Sequence, residues 1–224
     1  MIVKNVTVKQ LVEFRRYSAI RRQNFANQIT IPPSTKLKGD GGDYWISSLS
    51  AIANTYKENN QQLISDKIDQ LDESYQKAPV TQKIRYQRNL EILQDYVQFD
   101  LSNWRPAKIT TYLKKPNIIL NLNNVPIRIN PHHIFTFDDQ GAVKTGGIWF
   151  VYWQDGFNDT DLGMYTEAMF HYLNFIYGKE FRISPEFCLT VDVLRQTAIN
   201  YEQLLTGQVA SVLNETLNDL QQLI

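Results

Sequence analysis

From Thr145 to Trp153 the chain reads TGGIWFVYW, and its last seven residues offer no polar face to water if the backbone is extended. Neighbouring side chains of a strand point to opposite faces. A run that is apolar on both faces therefore has to be buried on both, which places it at the centre of a sheet rather than at an edge. The rest of the sequence must supply strands on either side and cover above and below.

Upstream, apolar residues recur every three or four positions. Thr7 followed by Gln10 has the form of a capping box, and Val8, Leu11, Val12 and Ile20 carry a helical stripe to about Gln28. The run ITIPPSTKLKGDGGD reads as a loop ending in Asp43, a good N-cap for a helix through Ile46, Leu49, Ile52, Ala53 and Tyr56. A short helix through Ile64, Ile68 and Leu71 follows, until Ala78-Pro79 breaks the chain. Thr81 opens the next helix, with Ile84, Leu90, Leu93 and Val97 facing inward.

The period then falls to two. Ile118, Leu120 and Leu122 alternate, Asn123-Asn124 supplies a turn, and Val125, Ile127 and Ile129 alternate again, which is the pattern of a hairpin. Its second strand continues or restarts through HIFTF and turns at Asp138-Asp139-Gln140-Gly141 into the apolar strand. A helix begins near Asp159 or Thr160 and ends at Gly178, CLTVDV makes a further strand, and Leu205, Val209, Val212, Leu213, Leu217 and Leu220 predict a helix over about 197–220. The expected fold class is α+β in one domain. It has a helical N-terminal region over 1–80, a helix-strand-strand-strand-helix-strand core over 81–193 and a C-terminal helix within 194–224, and the crossover into its last strand should be right-handed.

No apolar stretch approaches the roughly 18 residues a spanning helix requires, and MIVKNVTVKQLVEFRRY lacks the parts of a signal peptide, so the expectation is a cytoplasmic protein with no membrane partner. Cys188, the one cysteine, cannot form an internal disulfide and reads as a small buried hydrophobe. The net charge of zero hides segregation: +7 over residues 1–38, −4 over 39–80, +5 over 81–130 and −8 over 131–224. Such a pattern either offers a basic surface to a polyanion or lays oppositely charged parts of one fold against each other, and the second reading is preferred because nucleic-acid modules are usually basic overall.

The order of elements, with the residues RRQNFANQ, NPHHIF, TGGIWF and FCLTVDV, resembles the nuclease superfamily named for its Pro-Asp…(Asp/Glu)-x-Lys motif, the restriction-endonuclease-like fold. The whole chain is similar to a group of bacterial proteins associated with that superfamily. The resemblance implies a metal-dependent nuclease scaffold whose motif is degenerate here. His132 stands where it would place the metal-binding Asp, Gly147 where it would place the second carboxylate and Trp149 where it would place the Lys. Mg²⁺ takes oxygen ligands, and neither glycine nor tryptophan supplies one or offsets charge on a phosphate.

Three functions follow as expectations. The first is a catalytically silent, nuclease-like binding or regulatory subunit in bacterial defence or DNA metabolism, with no cofactor. The second is an active metal-dependent nuclease using relocated acids, with Glu91, Asp138 or Asp139 and His132 as ligands or base and a divalent metal as cofactor. The third is a protein-binding or oligomerisation module with the acidic C-terminal half and the helix at 197–220 as its interface, the apolar stripe of that helix either covering the sheet in the same chain or zipping with a second copy. Arg15, Arg16, Arg21, Arg22, Arg85 and Arg88 are the candidate nucleic-acid contacts, since Arg offers a rigid donor fork; a solvated helix face explains them all and is the preferred reading. Arg15 and Arg22, seven apart, would share one face of a continuous helix. Trp149, Phe150, Tyr152 and Trp153 can stack bases or pack a core, and the central-strand position favours the core.

Overall fold

The computed structural model describes residues 3–30 and 44–224, so the expected cap at Asp43 lies outside the described residues. The chain begins with β1 (Val6–Thr7), α1 (Val8–Arg16) and α2 (Ala19–Thr30), followed by α3 (Ile46–Glu58), α4 (Gln62–Lys77) and α5 (Val80–Tyr96). Then come β2 (Ile109–Tyr112), β3 (Ile119–Leu122), β4 (Val125–Arg128), β5 (His133–Asp139), β6 (Ala142–Val151) and α6 (Asp159–Tyr177). The chain finishes with β7 (Arg182–Asp192), β8 (Thr197–Asn200), α7 (Tyr201–Leu205) and α8 (Leu213–Gln221).

The fold is mixed α+β. Five strands form one sheet in the order β2-β5-β6-β7-β8, and three form a second in the order β1-β4-β3. In the larger sheet β2, β5 and β6 make an antiparallel meander, α6 carries the chain over to β7 parallel to β6, and β8 turns back antiparallel. The apolar strand β6 is the middle of the five. Alternation splits its side chains between two cores. Ile148 and Phe150 join Phe135, Phe137, Leu189 and Val191 beneath α3, α4 and α5. On the other face Val151 joins Ile134, Cys188 and Ile199 beneath α6, α1 and α8. Cys188 is fully buried among them, and burial pushes its thiol well above the usual range.

Ile84 and Val97, expected to face inward, are exposed, and three further sequence expectations need correction. The Asn123-Asn124 hairpin forms as read, both asparagines at positive φ (47° and 59°) as a two-residue type I′ turn requires. However, it belongs to the smaller sheet, paired with β1, and the first strand of the meander is β2, whose four residues ITTY carry no alternation strong enough to announce it. The N-terminal stripe is two helices rather than one. Tyr17 leaves helical geometry (ψ 147°), and the Arg22 guanidinium folds back to donate to the carbonyls of Phe14 (3.1 Å) and Arg15 (2.8 Å), covering the open end of α1. The stretch 197–220 is a strand and two helices. Asn200 ends β8 by entering a capping box with Gln203, and Gly207 at φ 75° ends the turn that follows α7.

The centre of the sheet imposes one close approach. Strand β7 bulges against β6 between the Thr145–Ile183 and Gly147–Cys188 pairs, and the bulge drives the Phe187 carbonyl toward Gly146. A Cβ at Gly146 would lie 2.5 Å from that oxygen and 2.9 Å from the Phe135 ring. Gly146→Val should therefore lower the urea midpoint by the equivalent of about 1–3 kcal/mol at an unchanged slope, the usual range for overpacking. An unchanged midpoint would mean that the carbonyl does not sit there.

Candidate functional site

The start of β5 and the end of β6 lie side by side, and this is where the residues at 132, 147 and 149 meet. His133 pairs with Ile148 and Ile134 with Gly147, while the His132 amide donates to the Ile148 carbonyl at 2.9 Å. The three backbone positions are thus cross-strand neighbours. Their side chains are used otherwise. Gly147 and Trp149, two apart, share the face covered by α6. A Cβ on Gly147 would stand 3.2 Å from both Leu173 and Met169, and the half-buried Trp149 ring meets Tyr165 edge-on at 5.1 Å. The His132 ring instead meets Phe150, T-shaped at 5.6 Å, and its Nδ1 accepts the Phe150 N–H at 3.2 Å. The rings of His132 and Trp149 therefore address opposite faces, and the shared cleft expected around them does not form.

Both histidines at this edge are held neutral. Burial pushes His132 down to about 3, reinforced by the neighbouring His133 and Lys115. Burial also brings His133 down to about 4, although its Nε2 donates to the Ala53 carbonyl at 2.8 Å and that bond favours the protonated ring. His133 stacks on Tyr56 under α3, and Tyr56 in turn meets Phe150, so both histidine rings lie on the α3 side of the sheet: His132 sits in the bend before β5 and does not follow the alternation of the strand.

The candidate acids are dispersed. Asp138 and Asp139 sit at the far end of β5, roughly 20 Å from His132 at 3.3 Å per residue. Asp138 accepts the Gly141 amide at 3.1 Å and shapes the turn, and Asp139 is paired with Lys144. Glu91 is exposed on α5 and accepts from Gln87 at 2.9 Å. Among the described residues no group of three or more His, Cys, Asp or Glu side chains is placed to hold a metal ion.

The arginines divide into engaged and open. Arg16 is paired with the buried carboxylate of Asp161, donates to the Gly156 carbonyl at 2.9 Å and lies over Trp153, 4.1 Å from the ring centre. Arg22 caps α1 and reaches Asp219 at 3.4 Å. Arg88 lies over Trp45 at 5.2 Å, and Trp45 in turn packs on Tyr152 at 4.0 Å between centroids. Arg15 is half-buried, and Arg21 and Arg85 are exposed.

Sequence reading passed over one group at the same end of the sheet. Asp192, the last residue of β7, is fully buried, accepts the Leu194 amide at 2.9 Å and is held above the usual carboxylate range by burial, against the pull of nearby amides and Arg195. A charged residue inside FCLTVDV was the available signal. Comparison with protein-family models, curated proteins and solved structures found no match to this chain.

Because both histidines titrate below their unfolded value of about 6.5, the unfolded chain binds more protons than the folded one between that pH and about 4. Stability should fall as pH drops through this window. The melting temperature should therefore decline from pH 7 to pH 4.5, and His132→Phe should decline less steeply, since an imidazolium cannot accept the Phe150 amide. An equal slope in the variant would contradict the assignment.

Proposed function

We propose that this chain is a nuclease-like scaffold without metal catalysis that acts as a binding or regulatory subunit, in a setting such as bacterial defence or DNA metabolism. One observation carries the reading. The backbone positions of His132, Gly147 and Trp149 are neighbours across β5 and β6, as a metal-binding motif would need, while their side chains serve packing: Gly147 admits α6, Trp149 meets Tyr165 and His132 receives the Phe150 amide. The order of α5, the β2-β5-β6 meander, α6 and the parallel β7 also supports the scaffold half of the proposal. Because a fold by itself does not specify function, the setting is an analogy. If the partner is a nucleic acid, contact falls to Arg15, Arg21, Arg85 and Arg88, because Arg16 and Arg22 are already held by carboxylates and carbonyls.

Incubation of the protein with Mg²⁺ or Mn²⁺ and a panel of single- and double-stranded DNA and RNA should leave every substrate intact. Cleavage abolished by His132→Ala would overturn the proposal. Cleavage that survives that change but is lost in Asp139→Ala would replace it with the relocated-acid nuclease.

A further inference from the structure

Away from residues 132, 147 and 149, a cleft of about 520 Å³ opens on the α3 face of the sheet, beside β7 and β8. That volume lies within the roughly 300–1,000 Å³ of small-ligand sites. Its apolar lining comes from Trp104, Phe187, Leu189 and Ala198, and the exposed Glu186 and Glu202 also line it. Among the described residues that line it there is no Lys or Arg, and neither carboxylate takes part in an ion pair among the described residues.

The backbone places these groups. The bulge that requires Gly146 carries Glu186 and Phe187, and a bulge redirects side chains that a regular strand would place elsewhere. The half-buried Trp104 packs against Phe99 at 4.8 Å and Phe150 at 6.5 Å between ring centroids. The remaining polar rim is partly committed, since Asn200 and Gln203 satisfy each other in the capping box of α7.

We propose that this cleft binds a guanidinium or ammonium group carried on an alkyl chain, as in an arginine or lysine side chain of a partner. Aromatic faces attract cations through their quadrupole, the alkyl stem of such a side chain covers apolar surface, and two carboxylates without a competing cation complete the match. An anionic ligand would meet repulsion from both glutamates. The inference does not depend on the nuclease reading, because the cleft shares none of that motif's three positions.

The test uses three blocked tripeptides with central Arg, citrulline or Glu, titrated into the isotopically labelled full chain and followed by amide and Trp indole NMR shifts. The Arg peptide should shift the Trp104 indole and the Phe187 and Glu186 amides, more weakly as salt is raised, and the citrulline and Glu peptides should not. Glu186→Gln with Glu202→Gln should weaken the Arg peptide at least tenfold. Both residues are exposed, so the double variant should keep its melting temperature. Equal shifts from Arg and citrulline peptides, no shift from the Arg peptide, or full binding by the double variant would overturn the proposal. Cleavage assays do not enter this result, so either proposal can fail without the other.

Discussion

A strand with two apolar faces needs two covers, and the burial of β6 on both sides organises this molecule. The helices α3, α4 and α5 supply one cover, and α6 with α1 and α8 supplies the other. The adjacent glycines Gly146 and Gly147 let neighbours on both sides come close, the Phe187 carbonyl at the first and the Leu173 and Met169 side chains at the second. The same tightness consumes the chemistry that the resemblance would place at 147 and 149. A site that must hold water and a metal needs open space, and here α6 fills it.

Periodicity made most of the helices and the Asn-Asn hairpin legible, because both depend on local spacing. It failed where a residue's role is decided by a distant partner. The four residues of β2 become a strand only because β5 offers an edge. Asn200 and Gly207 divide a stripe that otherwise reads as one helix. The site was legible to the same degree. That Gly147 and Trp149 share a face follows from strand alternation, whereas the turning of His132 onto Phe150 depends on a bend just before β5 that no spacing rule contains. Arg16 reads from local spacing as a solvated residue or a phosphate contact, and its pairing with Asp161, 145 residues away, is a partner that no local rule supplies.

The segregated charge has a structural reading as well. The basic first segment and the acidic last one touch through Arg16–Asp161 and Arg22–Asp219. The two contacts are not equivalent. Asp161 is almost wholly buried and also accepts the Asn158 amide in the capping box that starts α6, so its pairing with Arg16 links two helices and the loop at Gly156. The Arg22–Asp219 pair is more open to solvent, and such pairs usually contribute about 0–1 kcal/mol. The weight of the charge pattern thus rests on one buried carboxylate.

The hairpin of β3 and β4 leaves the larger sheet after β2 and returns before β5, and the hydrogen bond from the Leu113 amide to the Ile134 carbonyl, 2.8 Å, closes its base. Hairpins form within about 1–10 μs once their residues exist. Strand β1 has no such local partner, for Val6 pairs with Ile127. During synthesis Val6 must wait until Ile127 has been made, so β1 closes its sheet only after every helix from α1 to α5 has had time to form.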